Sequence, residues 1–162
     1  MYGIRKKEAK KIAEEIKNKT GINLSGTMEK IKMNPLSIIL VDKEPVILEY
    51  NNSYYLTVYG ILKFKPEKNK VTVDEGAKEF ILNGADVMRP GITQVDENIK
   101  KGDFVYIEVE NFMPVAVGIA LMNGNEMKTK DKGKAVKNIH HIGDKIWNFL
   151  LKEGYLSLGD KL

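Results

Sequence analysis

The sequence predicts an α+β protein, because two kinds of pattern alternate along it. The chain opens with apolar residues at helical spacing and continues with short apolar and aromatic runs of strand length. A charged stretch in the middle separates this part from a second part that is mostly strand-like. We therefore expect two small domains, each with its own sheet.

The first half predicts one helix followed by an antiparallel meander. Ala9, Ile12, Ala13 and Ile16 recur at helical spacing, and Gly21 follows as a helix stop. Turn residues then separate three predicted strands, at residues 36–41, 46–50 and 54–59.

Residues 63–70 are rich in lysine and contain a proline, a composition typical of a domain boundary. We place the first domain at residues 1–68 and the second at 69–150. Residues 151–162 are expected to form a C-terminal tail.

The second half begins with a short strand at residues 71–73 and a capped helix. Asp74 is the expected N-cap, and Ala77, Phe80 and Ile81 are expected on the helix face that packs in the core. Asn83 and Gly84 end this helix.

Four more strands are expected in this half, with a turn at residues 89–91 after the first of them: residues 85–88, 104–109, 115–122 and 135–142. Asp144 is placed to cap a last helix that carries Ile146 and Trp147. The second half is therefore largely sheet.

The composition of the chain limits the classes of function that it can have. Lys and Arg number 26 against 22 Asp and Glu, and this net charge of +4 favours a polyanionic partner, although it also suits an ordinary soluble surface. The chain has no cysteine, which fits a cytoplasmic location and removes thiol chemistry and Cys-ligated zinc. The longest apolar stretch, residues 113–122, is too short for a bilayer, so no membrane association is expected.

Two sequence blocks carry a family resemblance. Residues 73–92, VDEGAKEFILNGADVMRPGI, resemble the signature of PUA domains: a capped helix, a short strand and a Pro-Gly turn. Residues 133–142, GKAVKNIHHI, with Asp144 and Trp147 beyond them, are similar to the closing strand of the malignant T-cell amplified sequence proteins and their archaeal relatives.

The resemblance implies a small N-terminal α/β pre-PUA domain with an antiparallel meander, followed by a PUA pseudo-barrel of mixed strands. It also implies an archaeal RNA-binding protein that acts in translation initiation or in the recycling of ribosomes and tRNA. The implied partners are the CCA 3′ end of tRNA, the small ribosomal subunit and a second translation factor. An alternative is a subunit that delivers tRNA to a separate RNA-modifying enzyme, and a third is an adaptor for an acidic protein.

The predicted RNA contacts lie in the two matched blocks and in the basic loop between residues 128 and 134. They are Lys78, Gly84, Ala85, Asp86, Met88, Arg89, Pro90, Gly91, Lys130, Lys132 and Lys134. Arg89 offers a planar guanidinium for a phosphate or a base, with a surface salt bridge as its plain alternative. The lysines would act as point charges that displace counterions, or would simply be solvated.

No catalytic residue, cofactor or metal site is expected. The chain lacks the motifs GxxxxGK[ST], HExxH and GxSxG. His140 and His141 are adjacent in a predicted strand, so they point to opposite faces and cannot readily chelate one ion. The sequence therefore predicts a binding protein and not an enzyme.

Overall fold

The computed structural model describes residues 1–156 of the 162-residue chain. These residues contain five α-helices: α1 (Lys6–Thr20), α2 (Val58–Phe64), α3 (Lys78–Leu82), α4 (Gly124–Thr129) and α5 (Lys145–Lys152). They also contain eleven strands: β1 (Tyr2–Gly3), β2 (Met28–Ile31), β3 (Ser37–Val41), β4 (Glu44–Tyr50), β5 (Ser53–Leu56), β6 (Lys70–Val73), β7 (Val87–Met88), β8 (Ile92–Val95), β9 (Phe104–Val109), β10 (Pro114–Ala120) and β11 (Lys134–His141). The α+β class expected from the sequence is confirmed.

The chain divides into two compact units. Among the described residues, one unit contains residues 1–66 together with residues 145–156, and the other contains residues 67–144. Helix α5 thus groups with the first unit, whereas the sequence analysis placed it at the end of the second domain. Part of the expected C-terminal tail, residues 157–162, lies outside the described residues.

The first unit is built on the expected antiparallel meander, with strand order β1-β2-β3-β4-β5. Two-residue turns connect β3 to β4 and β4 to β5, and all four turn residues have positive φ, from 47° to 71°. Asp and Asn tolerate this conformation better than most residues do, and paired positive φ values match the twist of a hairpin. The turn residues therefore fix the register of the meander.

Helix α1 forms where the periodicity predicts it. Ile12 and Ile16 are buried, and Gly21 adopts the left-handed conformation that ends the helix, at φ 79°. Helix α5 buries Ile146, Trp147 and Leu150 in the same unit.

The third strand predicted for the meander, residues 54–59, extends beyond the end of the observed strand β5. Strand β5 ends at Leu56, and Tyr59 lies in helix α2 instead of in a strand. Thr57 causes the change, because its Oγ1 accepts a hydrogen bond from Gly60 N at 3.0 Å and donates one to Pro45 O at 2.7 Å. This N-cap starts a helix inside an aromatic run that otherwise reads as strand.

The second unit is a nearly closed sheet with strand order β7-β11-β10-β9-β6-β8. Strands β6 and β9 run parallel, and every other pair in this sheet is antiparallel. Buried valines and isoleucines fill it, among them Val71, Ile107 and Val115. The pseudo-barrel of mixed strands expected from the family resemblance is confirmed.

Two elements of this unit were not expected from the sequence, β8 and α4. Helix α4 begins with a capping box in which Asn123 N donates to Glu126 Oε1 at 2.9 Å. Gly124 follows the cap because a Cβ there would lie 2.4 Å from Asp96 O. Because glycine disfavours a helix, Gly124 hides this helix from a prediction based on sequence, although the close approach of Asp96 requires a glycine there.

Candidate RNA-binding site

A cavity of about 530 Å³ opens on the surface of the second unit. Its first wall comprises the helical segment that follows β6, with Asp74, Gly76, Ala77, Phe80 and Ile81. Its second wall comprises Ala85, Asp86, Val87 and Met88, and Pro90, Gly91 and Lys134 complete the lining. Most of these side chains are apolar.

Asp74 shapes the first wall. Its Oδ1 accepts a hydrogen bond from Ala77 N at 3.0 Å and so caps a short 3-10 helix, Glu75–Ala77, that leads directly into α3. Its own backbone N donates to Gly91 O at 2.9 Å, which fastens the first wall to the turn beyond β7.

Asn138 on β11 holds the second wall in place. Its Nδ2 donates to Ile81 O at 3.1 Å and to Ala85 O at 3.0 Å, and its backbone N donates to Asp86 Oδ1 at 3.0 Å. One side chain therefore fixes the loop between α3 and β7. The sequence does not reveal this role, because an asparagine within a strand carries no local signal for it.

Phe80 does not pack in the core as expected. It is 69% exposed at the cavity, whereas Ile81 is 2% exposed. The helix buries Ile81 and partly buries Ala77 and Leu82. Because successive helical residues are rotated by about 100°, this face leaves Phe80 on the open side. Met88 is also an exposed apolar side chain of the lining, at 47%.

The charged groups of the lining are few. Lys134 Nζ lies 3.6 Å from Asp86 Oδ2, and the lysine side chain is 65% exposed. Asp86 is half-buried and accepts from Asn138 as well. The carboxylate therefore faces the cavity, and the ammonium lies at its open edge.

The lysines of the basic loop are mostly ion-paired. Lys128 pairs with Glu97, and Lys130 Nζ lies 2.8 Å from Glu126 Oε2. The hydrogen bond from Lys130 holds the pKa of Glu126 below its ordinary value. Lys132 is exposed and makes no ion pair with the described residues.

Arg89 is half-buried beside the cavity. Its Nη2 donates to Lys128 O at 2.9 Å, so the guanidinium fastens the end of α4 to the segment after β7. Its Nε is buried without a hydrogen-bond partner among the described residues.

The structure brings six of the eleven predicted contacts together in the cavity lining: Ala85, Asp86, Met88, Pro90, Gly91 and Lys134. Five lie outside the lining: Lys78, Gly84, Arg89, Lys130 and Lys132. Lys78 Nζ stands 4.4 Å from the centroid of the Phe112 ring, and Gly84 has a left-handed backbone at φ 93°. The lining residues that were not predicted as contacts belong chiefly to the first wall. The sequence analysis predicted a helix cap at Asp74 and core positions at Ala77, Phe80 and Ile81.

The two histidines point apart. His140 is buried, with Nδ1 2.8 Å from Asp144 Oδ2, whereas His141 Nδ1 lies 2.8 Å from Ile142 O. In residues 1–156, no group of three or more His, Asp or Glu side chains could hold a metal ion. Over the same residues, no helix has the length and apolar character needed to cross a bilayer.

Comparison with known protein families finds one match in each of the two units. The sequence model of the PUA domain matches residues 69–142, and that of a domain of unknown function (DUF1947) matches residues 2–64. Translation machinery-associated protein 20 of Saccharomyces cerevisiae is 32% identical over 145 residues, which are 85% of this chain and 77% of the yeast protein. The chain belongs to this family of PUA-domain proteins.

Archaeal members of this PUA family are also similar over nearly the whole chain. An uncharacterized protein of Methanocaldococcus jannaschii is 49% identical over 91% of this chain and 95% of its own length. The crystal structure of a hypothetical protein from Pyrococcus horikoshii superimposes with a TM-score of 0.84 at 38% identity, over 91% of this chain and 98% of that one. The expected kinship with archaeal PUA proteins is confirmed.

An enzyme is similar over a shorter stretch. The probable tRNA pseudouridine synthase B of Methanocaldococcus jannaschii is 42% identical over 78 residues, which are 48% of this chain and 22% of that enzyme. The similarity to this enzyme is thus limited to its PUA domain.

Proposed function

We propose that this protein binds RNA in the cavity of its PUA domain and acts in translation in the cytoplasm. The names of its relatives support a role in translation: translation machinery-associated protein 20 in yeast, and human eukaryotic translation initiation factor 2D, which is 29% identical over 121 residues, 72% of this chain and 21% of that factor. The apolar lining of the cavity supports RNA as the ligand.

The observation that carries the proposal is the exposure of Phe80 and Met88 on an apolar cavity. An exposed aromatic side chain provides a flat surface on which an unpaired base stacks, contributing roughly 1–3 kcal/mol per base, and an exposed methionine adds apolar contact area beside it. A cavity of about 530 Å³ has the size of a small-ligand site and can enclose only the end of a strand. Duplex RNA cannot enter it, because paired bases are stacked inside the helix.

Charge decides which part of the nucleotide enters. The Asp86 carboxylate disfavours a phosphate within the cavity, so a base and its ribose are the groups that fit there. In this proposal, Lys134 at the edge and the exposed Lys132, two residues before it in the chain, bind the phosphates that lead away from the bound end. We therefore propose the CCA 3′ end of tRNA as the ligand, with Gly84, Arg89, Lys78 and Lys130 supporting or extending the contact.

The test compares intact tRNA with tRNA that lacks the CCA end. We expect the deletion to weaken binding by at least tenfold, because it removes the stacked bases. Equal affinity for the two RNAs would show that the cavity does not hold the 3′ end.

The small ribosomal subunit and a second translation factor are the further partners we propose. A ribosomal role predicts that the protein co-sediments with small subunits in a manner that depends on deacylated tRNA. Sedimentation that is unchanged by tRNA would contradict it.

The similarity to a probable tRNA pseudouridine synthase favours one alternative, a subunit that delivers tRNA to a separate modifying enzyme. Deletion of the gene would then lower the content of a modified nucleoside in tRNA. Under the translation proposal, tRNA modification stays unchanged and the recycling of small subunits slows.

A further inference from the structure

Helix α1 carries an unpaired cationic face. Lys6, Lys7, Lys10 and Lys11 are exposed, and Arg5, directly before the helix, is exposed as well. None of these five cations makes an ion pair with the described residues, whereas the second half of the same helix carries the pair Lys19–Glu15, with Nζ and Oε2 2.7 Å apart.

The stability of the helix does not explain this arrangement. Lys6 and Lys10 stand at i and i+4, as do Lys7 and Lys11, and like charges at that spacing destabilise a helix. Cations near a helix N-terminus also oppose the helix dipole. The second half of α1 follows the favourable rule, with Glu15 four residues before Lys19, whereas the first turn carries a single acidic residue, Glu8, among its cations.

A groove of about 240 Å³ runs beside the cationic face. Lys6 and Lys10 line one side of it, Leu24, Ser25 and Gly26 line the other, and Ala9, Ala13 and Met28 complete the lining. No carboxylate belongs to this lining. The two charged side chains of this lining are therefore both cations.

The loop that forms the far side of the groove is held firmly. Asp42 Oδ1 accepts a hydrogen bond from Thr27 N at 2.9 Å. Gly26 has φ 135°, and a Cβ there would lie 2.3 Å from Asp42 Oδ2. The glycine thus lets the carboxylate approach the loop backbone, and the groove is preformed.

We infer that the cationic face of α1 and the groove beside it form a second RNA-contact surface, which holds the phosphates of double-stranded RNA. Cations four residues apart are displaced by about 6 Å along a helix, so the face presents a row of separate point charges. No aromatic side chain lines the groove, so the contact is to the sugar-phosphate backbone and not to unpaired bases. The inference rests on the proposed RNA-binding function and adds a second class of RNA structure to it.

A membrane surface fits this face poorly. Interfacial helices insert an apolar face into the lipid, but the apolar residues Ile12 and Ile16 of α1 are fully packed against their own unit. The exposed surface of the first half carries charge without apolar side chains of the size that insertion needs.

The test uses the full-length protein and two RNA probes: a blunt-ended duplex, and a short single strand that ends in CCA. The variant Lys6→Gln/Lys7→Gln/Lys10→Gln/Lys11→Gln removes four charges while keeping helix propensity, because Gln and Lys are similar helix formers. A matched control, Lys100→Gln/Lys101→Gln/Lys145→Gln/Lys152→Gln, removes four charges from other exposed lysines.

We expect the α1 variant to lose roughly 10- to 100-fold in duplex affinity at low salt, and its plot of log affinity against log salt to become shallower by about three. Its affinity for the single strand should change little, and its melting temperature should stay equal or rise because like-charge repulsion is relieved. The control variant should keep most of its duplex affinity.

Equal losses in the α1 variant and the control would overturn the inference, since net charge alone would then explain binding. Competition by polyglutamate as effective as that of the duplex would also overturn it and indicate an acidic protein as the partner. Loss of duplex binding alone, with single-strand binding retained, supports it. Failure of the unmodified protein to bind either RNA would overturn the proposed function and this inference with it.

Discussion

Phe80 and Ile81 are neighbours on one short helix, yet their surroundings give them opposite roles. Ile81 is enclosed by the core of the second unit, whereas Phe80 presents most of its ring at the cavity. The buried Ile81 therefore contributes to stability, and the exposed Phe80 is available to a ligand.

Phe80→Ala should therefore weaken the binding of single-stranded RNA ends without destabilising the protein. We expect a loss of roughly 1–3 kcal/mol in binding, about 5- to 150-fold, because one stacking surface is removed. The free energy of unfolding should stay within about 0.5 kcal/mol, as is usual for exposed positions. Binding isotherms with a CCA-ended oligonucleotide and a denaturant titration provide the two measurements.

Ile81→Ala is the matched control, and it should destabilise the protein by about 2–5 kcal/mol through the cavity that it leaves. If Phe80→Ala were the destabilising change, or if it left RNA binding intact, Phe80 would be a structural residue and the stacking surface would lie elsewhere.

The sequence predicted the second wall of the cavity better than the first. Ala85, Asp86 and Met88 stand next to a recognisable Pro-Gly turn, so the motif located them. Phe80 was assigned to the core because a single helical turn does not show which of two adjacent apolar residues faces inward. Ion pairing is likewise a tertiary property, so the partner of Lys130 could not be read from the loop that contains it.

At the scale of elements, Glu44 joins strand β4 to helix α2. Its carboxylate accepts a hydrogen bond from the Tyr59 hydroxyl at 2.8 Å and pairs with Lys63. The hydrogen bond from Lys63 lowers the pKa of Glu44 more than burial raises it, and Tyr59 adds to the lowering. The ionised form is therefore the one that stabilises this contact.

The stability that Glu44 contributes should depend on pH in a defined direction. A glutamate whose pKa is lowered on folding stabilises the protein above its unfolded pKa, about 4.3, and loses that contribution as the pH falls through the folded value. Glu44→Gln should therefore melt at a lower temperature than the unmodified protein at pH 7, and the difference should shrink below about pH 4. Thermal unfolding across pH 3 to 7 measures it.

Glu14→Gln is the control, because Glu14 is exposed on α1 and makes no ion pair with the described residues. A difference between Glu44→Gln and the unmodified protein that persists unchanged at pH 3 would show that shape, and not charge, underlies the contact.

Most elements could be predicted because their signals are local. Helix α1 has both its periodicity and its glycine stop, and three of the four positive-φ turn residues of the meander are Asp or Asn, the fourth being Lys43. The failures have non-local causes. Tyr59 is helical because Thr57 bonds to Pro45, and α4 contains a glycine because Asp96 lies against it.

At the scale of the whole molecule, charge is distributed unevenly among the described residues. Around the cavity, Lys128, Lys130 and Lys134 are paired with carboxylates, whereas the five cations at the start of α1 have no described partner. The net charge of +4 therefore does not indicate which surface of the protein binds a polyanion. The same chain should show two different salt dependences for two kinds of RNA.

A short CCA-ended strand should bind with a weak salt dependence, because we propose that an apolar cavity holds its bases and that its phosphates contact chiefly Lys132 and Lys134. Two phosphate contacts on a single strand correspond to a slope of roughly −1.4 in a plot of log affinity against log salt. Intact tRNA adds duplex phosphates for the α1 face, and each added contact steepens the slope by nearly one.

We therefore expect the slope for tRNA to be at least about twice that for the short strand. The measurement is equilibrium affinity for both RNAs from 50 to 300 mM salt, with magnesium held constant so that the tRNA stays folded. Equal slopes would mean that the protein contacts only the single-stranded end of tRNA. A steep slope for the short strand would mean that the ion pairs around the cavity open on binding, since the freed lysines would then displace counterions themselves.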